Sequence, residues 1–72
     1  MFENKNVLVT GGTGMIGREL VELLLARKAN VFIASLDEGV GLPKNVAHKK
    51  IDLTDFAACI KVCQGMDYVF NL

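Results

Sequence analysis

The sequence predicts an α/β domain in which helices pack on a parallel β-sheet, and three observations carry that prediction. Strand-like and helix-like segments alternate along the 72 residues. The first strand-like run, "KNVLVT", is apolar without the in-out alternation of a half-solvated strand, as expected of a strand covered on both faces. Between the first strand and the first helix lies "TGGTGMIG", with four glycines in the seven positions from Gly11 to Gly17.

The elements follow in order. Residues 5–10, "KNVLVT", form a short apolar strand in which β-branched Val7 and Val9 flank Leu8. Over residues 14–28 the period changes. Ile16, Leu20, Leu23 and Leu24 recur at helical spacing, and Arg18, Glu19, Glu22 and Arg27 take the other face. Residues 30–36, "NVFIASL", are the second strand. "DEGVGLPKN" holds two glycines and the single proline and reads as a loop. "VAHKKID" is a weaker third strand. Thr54 suits an N-cap, with Asp55 in the first turn of a helix whose Phe56, Ile60 and Cys63 share a face and which Gly65 terminates. "MDYVFNL" is the fourth strand.

Right-handed crossovers, with the chain reversing direction after the third strand, give the spatial order 3-2-1-4. The link from strand two to strand three is about ten residues, at the low limit for a parallel crossover, so an irregular loop or a single helical turn is expected there.

Composition narrows the function classes. A chain of this length makes one small domain, and its 51% hydrophobic content suffices for a core. Eight basic residues balance eight acidic ones, which argues against a nucleic-acid surface or a polybasic membrane patch. "MFENKN" lacks the apolar segment of a secretory signal, and no apolar run reaches the roughly 18–20 residues of a membrane span. Two cysteines do not make a disulfide framework, so a cytoplasmic location is expected. The sequence stops within a strand-like run, and a truncated reading frame is expected on that ground.

The glycines point to an anion. A helix start carries unpaired N–H groups and about half a unit of positive charge. A phosphate can rest there if no Cβ stands in its way, and some of the turn positions call for φ > 0. The phosphate-binding loop of nucleotide hydrolases fits the Gly12 to Gly17 gap but requires Lys and Ser or Thr next, where this chain has Arg18 and Glu19. The dinucleotide pattern G-x-G-x-x-G fits Gly12, Gly14 and Gly17, and the variant T-G-x-x-G-x-x-G fits Thr10, Gly11, Gly14 and Gly17. Both describe a pyrophosphate on a helix start.

The run "VLVTGGTGMIGRELVELLL", with "KIDLTD" and "GMDYVFNL", resembles the opening of an extended short-chain dehydrogenase/reductase of the NAD-dependent epimerase/dehydratase family. The resemblance covers essentially the whole chain. It implies the N-terminal part of a Rossmann doubly wound sheet, an NAD or NADP cofactor, a nucleotide-sugar substrate and a homodimeric parent. By that resemblance Thr10 holds the turn, Gly11 and Gly14 lie closest to the pyrophosphate, Thr13 is a further cofactor-binding residue, Met15 and Ile16 offer amides, and Gly17 lets the helix pack close. The acidic ribose position of the family falls at Ser35, with Asp37 two residues on. No arginine stands in that loop to clamp a 2′-phosphate, although Lys44, Lys49 and Lys50 are near in sequence. NAD is therefore favoured, with NADP open. Asp52 and Leu53 match the family's adenine contact.

Cys59 and Cys63 read as small apolar packing, His48 as a surface residue and Tyr68 as core. The family's Tyr-x-x-x-Lys pair is not among the 72 residues, so no catalytic residue and no metal ligand is assigned. The alternative to the cofactor-binding part of an oxidoreductase, epimerase or dehydratase is a non-catalytic NAD(P)-binding sensor on the same fold.

Overall fold

Among the described residues (1–11, 14–39 and 41–72 of the computed structural model) the chain runs β1 (Asn6–Thr10), α1 (Met15–Ala26), β2 (Asn30–Ser35), β3 (Val46–Lys50), α2 (Phe56–Cys63) and β4 (Tyr68–Asn71). The four strands pair in parallel in the order β3-β2-β1-β4, as the alternation predicts. Val7 is opposite Val31 on one side and Tyr68 on the other; Val9 is opposite Ile33 and Phe70. The described residues of the β2–β3 link form an irregular connection without a helix.

β1 is the centre of the sheet, and Val7, Leu8 and Val9 are all fully buried. Side chains alternate between faces. Val7 and Val9 therefore join Val31 and Ile33 of β2 in one layer, where they pack with Val21, Leu24 and Ala29. Leu8, of opposite parity, is buried outside that cluster. Phe2 closes the β4 side of the layer, edge-on to Tyr68 at 5.1 Å and tilted against Phe70 at 6.2 Å. Tyr68 thus packs on a ring at the exposed rim of the sheet rather than inside the core.

The sheet-facing side of α1 differs from the sequence expectation. Gly17, Val21 and Leu24 are the buried positions, with Leu20 and Leu25 partly buried beside them. Ile16 and Leu23 are exposed, at 76% and 53%. The apolar residues of α1 extend more than halfway round it, so periodicity alone leaves the inward direction open by about one residue. Gly17 is buried on the same side, and Val21 and Leu24 follow it at i+4 and i+7.

α2 also departs from expectation. Its N-cap is Asp55, not Thr54, and the Asp55 carboxylate accepts from Ala58 N at 3.2 Å. Thr54 is instead drawn into a turn with Asp52, which displaces the helix start by one residue. None of the α2 residues is buried; Phe56 is 78% exposed, and Cys63 is exposed. Cys59 is half-buried and its Sγ donates to Leu53 O at 3.1 Å. The cysteines are therefore not core packing. The helix ends at Cys63, with Gly65 beyond it as the sequence suggests.

No helix among the described residues is long and apolar enough to cross a membrane. Because Leu24 is wedged against the sheet and Leu23 faces out, Leu24→Ala is expected to cost about 2–4 kcal/mol and Leu23→Ala under about 0.5 kcal/mol. Urea denaturation monitored by circular dichroism checks this. Equal losses would mean that α1 presents a different side to the sheet.

Candidate functional site

In an all-parallel sheet every strand ends at the same edge, and ligands of such folds collect there, where the strand order reverses. In this chain the reversal lies between β1 and β4. Thr10 ends β1 with Gly11 after it, Ser35 ends β2, Asp52 and Leu53 follow β3, and Asn71 ends β4 with Leu72 after it. The sequence-predicted residues thus gather along one edge. Thr13, together with Gly12, lies outside the described residues.

The strand ends are tied together at the reversal point. Thr10 Oγ1 donates to Asn71 Oδ1 at 2.6 Å, and Leu72 N donates to Thr10 O at 3.2 Å. Gly11 N donates to Ala34 O at 3.4 Å on the other side. Beside these ties is a cleft of about 470 Å³ lined by Gly11, Gly14, Met15, Ile16, Gly17 and Leu72.

Two of the glycines do different work. Gly11 has φ +74°, in the left-handed region, and a Cβ there would stand 3.2 Å from Leu72 O. Its lack of a side chain is demanded by the chain itself. Gly14 is the N-cap of α1 at φ −78° and ψ 177°, extended backbone that any residue adopts. Among the described residues a Cβ added there would meet only Gly11 O, at 3.9 Å. Among the described residues nothing requires a glycine at this position.

Electrostatics of the same spot favour an anion. Gly14 offers no side chain to cap the helix, and no acidic residue lies in the first turn of α1. The amides of Met15, Ile16 and Gly17 point along the axis with no helical acceptor before them. The macrodipole adds partial positive charge there. An uncapped start, a cleft and an open approach over Gly14 together fit a diphosphate.

The edge at β2 is organised by side chains that sequence reading did not connect. Ser35 is buried, and its Oγ donates to Asp37 Oδ1 at 3.1 Å and lies 2.7 Å from His48 Nε2. His48 is half-buried rather than a plain surface residue. Asp37 Oδ1 also accepts from Gly39 N at 2.9 Å, an Asx-type turn. Arg18 reaches from α1 to this loop and donates through Nη1 to Gly41 O at 3.1 Å. A guanidinium therefore stands at the loop although none is encoded within it. Lys50 is paired with Glu38 at 2.5 Å. The parity of β2 and β3 places Ser35 and His48 on one face, but the register Ile33↔His48 and Ser35↔Lys50 that makes them diagonal neighbours is not readable from one sequence.

At the end of β3, Asp52 Oδ1 accepts from Thr54 N at 2.9 Å and from Thr54 Oγ1 at 2.6 Å. These two bonds, the hydroxyl first and the amide second, hold the Asp52 carboxyl below its ordinary value of 3.8. Both bonds fall on Oδ1, so Oδ2 keeps its acceptor capacity. Leu53 is 38% exposed beside it. No group of three or more His, Cys, Asp or Glu among the described residues could hold a metal ion.

Two predictions arise from this geometry. Gly11→Ala is expected to destabilise the chain by about 2 kcal/mol, from a left-handed φ and the approach of Leu72 O, whereas Gly14→Ala changes stability by less than about 1 kcal/mol. Paired thermal melts decide it, and comparable losses would count against the division of roles. Thr54→Ala is expected to raise the Asp52 pKa toward its ordinary value, read from the carboxyl ¹³C shift during an acid titration. The sign follows from the depressed pKa: the turn is strengthened above the ordinary aspartate value and released as pH falls through the lowered one. An unchanged midpoint in the variant would exclude Thr54 as the cause.

Comparison with known proteins agrees with this geometry. Residues 7–72 match the model of the NAD dependent epimerase/dehydratase family. The chain is 35% identical over 71 residues to prestalk A differentiation protein A of Dictyostelium discoideum, an alignment covering 90% of this chain and 24% of that protein. It superposes on an epimerase of Methanothermobacter thermautotrophicus with a TM-score of 0.83 and 32% identity, over 99% of this chain and 23% of that one. A short-chain dehydrogenase of Leptospira borgpetersenii with bound NAD+ gives a TM-score of 0.72 and 30% identity, over 85% of this chain and 25% of that one. The chain thus spans about a quarter of the length of the relatives it matches. A parallel 3-2-1-4 sheet, an uncapped glycine-opened helix at its reversal point and a family match over nearly all residues lead to one conclusion: this chain belongs to the NAD-dependent epimerase/dehydratase family.

Proposed function

We propose that this chain is the cofactor-binding part of an NAD-dependent epimerase, dehydratase or reductase that acts on a nucleotide sugar, in a homodimeric, cytoplasmic protein. The observation that carries the cofactor part is Gly14, whose missing side chain leaves open space over an uncapped helix start. In this reading the amides of Met15 and Ile16 donate to the diphosphate oxygens, and the helix dipole adds a charge term that needs no side chain. Gly11 shapes the turn, and Gly17 keeps α1 close to the sheet so that its opening faces the strand ends. Thr10 and Asn71 lock β1 to β4 beside the cleft, which keeps the cradle from widening.

Farther along the edge, Asp37 accepts from the adenosine ribose hydroxyls, with Ser35 behind it. Asp52 Oδ2 accepts from the exocyclic amine of adenine, and Leu53 lies against the ring. Bound NAD supplies a nicotinamide able to take up and return a hydride. The residues described here bind and orient; they neither donate nor accept the transferred hydrogen.

The preference for NAD over its 2′-phosphorylated form follows from the ribose loop. The Asp37 carboxylate opposes a second anion, and Lys50 is already paired with Glu38. The Arg18 guanidinium also reaches this loop, where it donates to Gly41 O, so the preference rests on the Asp37 carboxylate. Calorimetry on the intact protein tests the proposal. NAD is expected to bind at least tenfold more tightly than NADP, and Gly14→Val is expected to weaken NAD more than a hundredfold while leaving the far-ultraviolet spectrum unchanged. Full affinity in Gly14→Val would remove the diphosphate from the opening of α1.

A further inference from the structure

The group at the end of β2 contains Ser, His and Asp within hydrogen-bonding reach, but in an order that is not nucleophilic. In a hydrolytic triad the imidazole stands between the hydroxyl and the carboxylate. Here the hydroxyl stands in the middle. Ser35 Oγ lies 2.7 Å from His48 Nε2 and 3.1 Å from Asp37 Oδ1. A serine hydroxyl has one proton to give, and an ionised carboxylate only accepts. The Ser35 proton therefore goes to Asp37, and Ser35 Oγ accepts from Nε2–H of His48. The imidazole keeps that bond both as the Nε2–H tautomer and as imidazolium, since each carries a proton on Nε2.

The direction of these bonds runs from β3 to the loop after β2. His48 donates to Ser35, Ser35 donates to Asp37, and Gly39 N donates to the same Asp37 oxygen. The His48 ring also bears on the loop directly. Gly39 has φ +66°, and a Cβ added there would stand 2.8 Å from ring atoms of His48. The loop is thus seated on the imidazole, and one carboxylate oxygen is held by donors from both its own strand and its own turn. Burial of Ser35 shields the middle link from competing water.

We propose that His48 is a positioning residue of the cofactor site: acting through Ser35 and the packing on Gly39, it sets the Asp37 carboxylate in the place where it meets the adenosine ribose diol. The proposal rests on the cofactor reading above and adds to it a residue that never touches the cofactor.

The experiment compares NAD with an NAD analogue whose adenosine ribose lacks both hydroxyls, by calorimetry on the intact protein and on His48→Ala, His48→Gln and Ser35→Ala. His48→Ala and Ser35→Ala are each expected to weaken NAD roughly fivefold, the worth of one ordinary hydrogen bond. Neither is expected to change the affinity for the analogue, and His48→Gln, which keeps an N–H donor, is expected to retain at least half of the effect. An equal loss for both ligands would make His48 a structural residue of β3 and overturn the proposal, as would no loss for NAD in His48→Ala. Failure of the unaltered protein to bind NAD would overturn the cofactor reading itself, a result distinct from either of these.

Discussion

The placement of β1 between β2 and β4 is the constraint on which the rest of the structure depends. Three consecutive fully buried residues, Val7, Leu8 and Val9, leave this strand no solvated face, so it can only be interior. Once β1 is central, the crossover through α1 leads to one neighbour and the later return of the chain to the other. The strand order reverses at β1, and the glycine-rich turn that follows it opens at the reversal. The cleft between Gly11, the start of α1 and Leu72 is a consequence of that topology and not a separate construction.

Within that cleft the free energy available to an anion comes from the backbone. Gly14 is an N-cap that caps nothing, and a serine or aspartate there would satisfy the helix from within and fill the approach. α2 shows the contrast: its Asp55 carboxylate accepts from Ala58 N, as an ordinary helix start requires. The two helices of one small chain thus begin in opposite ways. The one that opens at the strand reversal has no side-chain cap on its first amides.

Much of this was legible in the amino acids. The parallel order, the strands, the glycine template and the family resemblance follow from local pattern, because apolar runs and glycine spacing are properties of neighbouring residues. The misses are equally local in cause. α1 turned by about one position because Ile16 and Leu23 are as apolar as Val21 and Leu24, so hydrophobic spacing alone does not choose between them. α2 began at Phe56 because Asp52 and Thr54 satisfy each other before a cap is needed. Cys59 and Cys63 looked like core only because a helix of that composition commonly has a sheet over it.

By itself the sequence determined which backbone could approach an anion, since that depends on where side chains are missing along six or seven consecutive positions. It likewise determined that β1 had to be buried on both faces. Only the tertiary structure decided which distant side chains serve the edge so formed. Arg18 meets Gly41, Thr10 meets Asn71 and His48 meets Ser35 across 23, 61 and 13 positions. These contacts depend on strand register and on the side α1 presents to the sheet, and both are set by packing between elements rather than by any one of them.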